Sequence, residues 1–309
     1  MSAPTFDLDS VPEVDRHRVE GLIPDPRLAD GYVHRGYLGV DEFDLFDGAV
    51  EDAENIMLVG PTGSSKTTVF RAYAASRRLP FALVECNANM DPSMVLGRTT
   101  FKEDETVGWV DGDLTLVVRY GGVALIDEIN LAHPRVTAAY HGLLAVTRRL
   151  SIPEAGESIR AGRGGIGEPQ PTLFGAARND VSYQGAVRLS EALANRYGMP
   201  IPWDYDRKVE EQLVPSPRLL DMAYNTRSLA EIRTPLSTNM LQEFVRHFHR
   251  WGYPLAQAFF VNHFAPEEQG PVNRAFEAHE TAIVAELLGQ EPSGDDDTLT
   301  GTIGEAVPA

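Results

Sequence analysis

Five short apolar stretches punctuate the first two thirds of the chain, at residues 55–59, 79–85, 123–126, 172–179 and 198–203. Asn55-Ile56-Met57-Leu58-Val59 reads as a buried strand. Val123 to Ile126 is a continuous apolar run, as in a central parallel strand covered on both faces. Between these runs the pattern changes to helical spacing. Apolar residues recur every three to four positions over 112–120. Over 134–146, Val136, Tyr140, Leu143 and Leu144 share one face. Residues 40–51, 68–75 and 190–197 also read as helices, and 87–97 as a loop with a short helix. Arg149 to Pro153 and Ser158 to Arg160 flank a turn and predict a projecting hairpin. Residues 161–171 are rich in Gly and Pro and are expected to form a mobile loop.

From Asp204 onward the pattern is helical. Phe244, Val245, Phe248, Trp251, Leu255, Phe259 and Phe260 are expected to form the core of a small helical domain. The fold class predicted is α/β, a five-stranded parallel sheet between helices, followed by a small C-terminal all-helical domain. Residues 1–27 are rich in Pro and Asp and lack periodicity, so they read as an arm or a loosely packed cover. The core is expected over 28–203 and the helical domain over 204–288. Residues 289–309 contain Gly294-Asp295-Asp296-Asp297 and read as a disordered acidic tail.

Composition narrows the function. The chain has 309 residues, 43% of them hydrophobic, enough for a large core and two domains. A formal charge of −18 argues against a dominant nucleic-acid or anionic-membrane surface. The single cysteine, Cys86, rules out an intramolecular disulfide and a cysteine metal cage, and it reads as a small buried residue. His247, His249 and His263 cluster in sequence, but His-x-His on a helix does not put both rings on one face. No signal peptide and no bilayer-length apolar run are present, so the expected location is cytoplasmic.

The chemistry is carried by Gly60-Pro61-Thr62-Gly63-Ser64-Ser65-Lys66-Thr67-Thr68, which lies between a strand and a helix. That context belongs to a phosphate-binding loop. Backbone N–H groups of the loop and first helical turn face an anion, Lys66 adds positive charge for the β- and γ-phosphates, and the Thr67 hydroxyl is placed to ligand Mg²⁺. Ser65 stands where the usual pattern has glycine. A Cβ is tolerable there if the residue has entered the helix with a negative φ, and on that expectation phosphate binding survives the serine.

Val123 to Ile126 ends in Asp127-Glu128, 61 positions after Lys66. Acids at the carboxyl end of such a strand sit where ligands bind in open α/β sheets. Asp127 suits the Mg²⁺ water shell, and Glu128 suits a general base for water. The 172–179 strand ends in Asn179, whose amide suits the γ-phosphate and the attacking water. The 190–197 helix ends in Arg196. Tyr32, Val33 and Tyr37 either line an adenine pocket or pack a linker.

This order resembles AAA+ ATPases of the MoxR-like group, with CbbQ/NirQ-type activators and the cobalt chelatase ATPase subunit as nearest likenesses. Residues 121–130, Val110-Asp111-Gly112-Asp113-Leu114, Arg178-Asn179 and Tyr183-Gln184-Gly185 carry the resemblance, which covers residues 28–290. It implies Walker A roles for Lys66 and Thr67, Walker B roles for Asp127 and Glu128, and a sensor-1 role for Asn179. Arg196 would be an arginine finger acting on a neighbouring subunit, and the 149–160 hairpin the pre-sensor insert. The resemblance also implies ATP and Mg²⁺ as cofactors, a ring homo-oligomer, usually a hexamer, and a von Willebrand A-type partner. Asn239 stands where similar proteins have the sensor-2 arginine, with Arg233 six residues earlier. Residues 89–97 lack the aromatic loop of threading unfoldases, which favours remodelling of a client protein through surface loops or an adaptor. Two other functions fit less of the sequence: a nucleotide-binding assembly module with little turnover, motivated by Ser65 and Asn239, and a nucleic-acid motor, disfavoured by the charge.

Overall fold

The computed structural model describes residues 4–87, 89–101, 107–132, 134–162, 170–179 and 189–289. The chain divides into two compact units at Asp206 and Arg207.

In the first unit α1 (Glu13–Gly21) and α2 (Arg27–Asp30) precede a small antiparallel pair, β1 (Gly36–Tyr37) and β2 (Val40–Asp41). Then follow α3 (Glu42–Asp52), β3 (Asn55–Val59), α4 (Lys66–Arg77), β4 (Phe81–Glu85) and α5 (Pro92–Leu96). A second antiparallel pair comes next, β5 (Gly97–Phe101) and β6 (Val107–Asp111), then α6 (Asp113–Tyr120), β7 (Gly122–Asp127) and α7 (Pro134–Leu143). The unit closes with the hairpin β8 (Arg149–Ile152) and β9 (Glu157–Arg160), then β10 (Thr172–Arg178), α8 (Glu191–Ala194) and β11 (Met199–Pro202).

The five long-range strands form one sheet in the order β11-β3-β10-β7-β4, every neighbouring pair parallel. Side chains alternate between two cores, as the pleat requires. Ile56, Leu58, Val123 and Leu125 face α3 and α4 through Phe46, Val69, Phe70 and Tyr73. Met57, Ala124 and Ile126 face the other layer through Val117, Tyr140 and Leu143. This is a P-loop AAA+ fold. Because all five strands run the same way, the ends of β3, β4, β7 and β10 lie along one edge.

Three features depart from the sequence expectation, and a fourth, Tyr32, takes one of the two alternatives it left open. The described part of the segment 1–27, residues 4–27, is not a loose cover: Val11 and Val19 are buried against Leu116 of α6. Tyr120 Oη also donates to Asp15 at 2.6 Å. Its few apolar residues are too irregularly spaced to betray the docking. The 149–160 hairpin does not simply project, because Leu150, Ile152 and Ile159 are buried in the main core. The β5–β6 hairpin was not foreseen, and it pairs Phe101 with Val107. Both side chains are well exposed, at 81% and 61%. Tyr32 stacks on Phe43, with centroids 5.5 Å apart, which gives it a packing role.

The second unit contains α9 (Arg207–Leu213), α10 (Pro217–Arg227), α11 (Thr238–Trp251), α12 (Tyr253–Val261) and α13 (Pro266–Leu287). Phe244, Phe248, Phe260 and Phe276 lie in its core. Trp251, Leu255 and Phe259 do not: all three are exposed. Gly252, at φ +79°, breaks the chain between α11 and α12, so that Tyr253, Ala256 and Phe260 turn inward in their place. Among the described residues no helix is long and apolar enough to cross a membrane. The expected mobile loop, apart from its ends, the Tyr183-Gln184-Gly185 segment and the acidic tail beyond Gly289 lie outside the described residues.

Candidate active site

The loop from Gly60 to Ser65 joins β3 to α4. Gly60 is required by close approach, since a Cβ there would lie 1.8 Å from the Trp203 carbonyl oxygen. Ser65 has not entered the helix. It is the N-cap of α4 in the left-handed region, at φ +69°. The expectation of a negative φ is therefore corrected: the loop needs a left-handed residue at this point, and a serine Cβ makes that conformation cost on the order of 1 kcal/mol. Glycine would relieve the strain but give the unfolded chain more freedom. Ser65→Gly is expected to raise the unfolding free energy by up to about 1 kcal/mol, read from urea denaturation. A loss of stability would mean that the serine side chain holds the turn.

Lys66 is the first residue of α4 and is buried. Its Nζ donates to the carbonyls of Gly60 (2.9 Å) and Pro61 (2.7 Å) and to Asn179 Oδ1 (3.1 Å). Burial pushes its ammonium down to about 8, against the pull of Asp127 and Glu128. One residue on, the Thr67 hydroxyl donates to Asp127 Oδ2. Asp127 ends β7, next to Glu85 at the end of β4. Its other oxygen accepts from the Glu128 amide at 2.9 Å.

Glu128 sits in the left-handed region at φ +50°, a conformation that strains any side chain bearing Cβ and that concentrates at working sites. Burial, then the neighbouring Asp127 charge, raise its carboxyl above the usual range. Lys66 and a hydrogen bond from Asn179 partly offset this. Asn179 thus touches both Lys66 and Glu128. Amine, hydroxyl, two carboxylates and amide, drawn from two strand ends and one helix start, meet in one place. The loop amides of Gly63, Ser64, Ser65, Lys66 and Thr67 donate to no acceptor among the described residues, which leaves an electropositive cradle beside them.

Arg196 is not part of this cluster. Its carbonyl accepts from Asn55 Nδ2 at 2.7 Å, at the start of β3. The phosphate loop leaves the other end of that five-residue strand, roughly 15 Å away. Arg233 and Asn239 are exposed in the second unit, where Glu268 holds the Arg233 amide at 2.5 Å. Cys86 is buried and its thiol is pushed up to about 12, so it is inert. Three residues the sequence did not mark also touch the loop: Arg35, Trp203 and Tyr205. No spacing rule connects them to it, because the fold brings them there from both flanks.

Residues 55–197 match the family described as AAA domain (dynein-related subfamily). The chain is 34% identical over 169 residues to the uncharacterized protein YojN of Bacillus subtilis, covering 52% of each chain. It is 35% identical over 148 residues to an uncharacterized protein of Staphylococcus haemolyticus, covering 47% of this chain and 53% of the other. The chain thus spans about half the length of the curated relatives it matches. Among solved structures, a RuvB mutant of Thermotoga maritima aligns with a TM-score of 0.39 and 16% identity, over 83% of this chain and 74% of that one.

Proposed function

We propose, from the AAA domain that residues 55–197 form, that this protein binds ATP with Mg²⁺, hydrolyses it, and uses the cycle to remodel or activate a partner protein. The observation that carries the reading is the convergence of Lys66, Thr67, Asp127, Glu128 and Asn179 on the uncommitted loop amides. The residues fit the groups they would hold. Thr67 and Asp127 offer hard oxygen donors side by side, suited to Mg²⁺. When bound there, Mg²⁺ would neutralise phosphate charge as it develops.

The chain's own residues would do the rest. Loop amides from Gly63 to Thr67 cradle the phosphates. Lys66 exchanges its carbonyl partners for phosphate oxygens. Glu128, its carboxyl raised above the usual carboxylate range by burial and by Asp127, takes the proton of the attacking water. Asn179 holds Glu128 and the phosphate end in register. Arg196 completes the site of a neighbouring copy in a ring, which the likeness to MoxR-type proteins suggests is a hexamer with a von Willebrand A-type adaptor. The exposed Phe101–Val107 pair of β5 and β6 is the kind of apolar surface that contacts a client.

Calorimetric titration with ATP–Mg²⁺ tests the reading. Saturable binding is expected with the parent protein. Lys66→Ala, still folded, should bind about a hundredfold more weakly, since a charge-assisted contact to phosphate is lost. The pH dependence has a definite sign. In the free protein the Lys66 charge is present below pH 8 and lost above it, while phosphate favours the charged form. At pH 9 binding should therefore take up close to one proton, and affinity should fall as the pH rises further. Folded parent protein that gives no binding heat sinks the proposal.

A further inference from the structure

The outer side of the phosphate loop is held by residues with no part in the chemistry above. The Arg35 guanidinium lies over the Trp203 ring, 4.4 Å from its centroid. It donates to the Asp204 carbonyl at 2.9 Å and to the Ser64 carbonyl at 3.3 Å. Tyr205 Oη donates to the Thr62 carbonyl at 2.7 Å. The base of Arg35 is itself anchored: buried Glu42 accepts its amide at 3.0 and 3.2 Å. The strap carrying Trp203 is anchored too, with Trp203 N donating to the Val59 carbonyl at 2.7 Å.

A trans peptide points its C=O and its N–H in opposite directions. Fixing the Ser64 carbonyl on the outside therefore turns the Ser65 amide toward the inside. Fixing the Thr62 carbonyl does the same for the Gly63 amide. The first case matters more, because Ser65 must also be kept in the left-handed region against its own Cβ.

We propose that Arg35 is the positioning residue of the phosphate cradle: by gripping the Ser64 carbonyl from its stack on Trp203, it aims the Ser65 amide inward and holds a serine in a conformation that favours glycine. Tyr205 does the same for Gly63, where glycine needs no such help. The role for phosphate rests on the proposed nucleotide site, whereas the grip on Ser65 does not.

A double-mutant cycle separates this role from simple packing. Arg35→Ala is measured in the parent and in the Ser65→Gly protein. Without nucleotide, it should raise the unfolding equilibrium constant about tenfold in the parent but threefold or less beside glycine, because glycine adopts the left-handed conformation unaided. The same asymmetry should appear in ATP–Mg²⁺ affinity by calorimetry. If Arg35 only packs on Trp203, both backgrounds lose the same factor, and that result overturns the proposal. If Arg35→Ala does not fold, Arg35→Lys serves instead: it keeps the charge but cannot span both carbonyls, so it should show the same asymmetry at smaller size, and equal losses again overturn the proposal. A parent protein that binds no ATP–Mg²⁺ would refute the nucleotide function while the unfolding cycle still decides the role of Arg35.

Discussion

Arg196→Ala is expected to leave ATP–Mg²⁺ affinity within about twofold of the parent and to slow hydrolysis by ~10³–10⁵, the range for an arginine supplied in trans to a transferring phosphoryl group. The Arg196 backbone lies away from the phosphate loop of its own subunit. Arg196 is tied to Asn55 at the start of β3, and the loop leaves the far end of that strand. Its Nε is buried without a hydrogen-bond partner among the described residues. Mixing Lys66→Ala with Arg196→Ala subunits provides the check. Each alone should be inactive, but a mixed interface would pair an intact loop with an intact arginine. Steady-state phosphate release should recover partly on mixing. No recovery, despite co-assembly shown by labelled subunits, would return Arg196 to a structural role.

Glu128→Gln should slow turnover by ~10²–10⁴ while ATP stays bound, because it removes the base and leaves Thr67 and Asp127 in place. The change is nearly isosteric, and glutamine keeps a hydrogen-bonding group toward Asn179. A protein stalled with ATP bound should hold its client best, since client and nucleotide affinities are thermodynamically coupled. Pull-down from the native cell followed by mass spectrometry should enrich one or two proteins over the Lys66→Ala control, one of them of von Willebrand A type. Deleting the 149–160 hairpin is the wrong way to probe capture, because Leu150, Ile152 and Ile159 would leave a hole in the core. Phe101→Ser with Val107→Ser is the better choice, since both are exposed and bear on the fold little. That pair should weaken capture. Identical protein sets from the Glu128→Gln trap and the control would favour a static nucleotide-binding module instead.

The sequence alone determined the strand-and-loop order, the five-stranded sheet and the residues that meet at its edge. The reason is that these are local or repeating signals. An apolar run ending in Asp127-Glu128, or Lys66 and Thr67 opening a helix after a glycine loop, constrains its own backbone, and parallel strands then bring their ends together without further information. Tertiary structure decided what depends on neighbours distant in sequence. Residues 13–21 form a helix whose Val19 has a place only because α6 offers Leu116. Trp251, Leu255 and Phe259 match a helical core by spacing, yet Gly252 redirects the chain and leaves them outside. Ser65 keeps a left-handed backbone in a loop gripped from residue 35 on one side and residues 203–205 on the other. No local pattern encodes that grip, since Arg35 is 29 positions from Ser64 and 169 from Asp204, and only the folded sheet closes both distances.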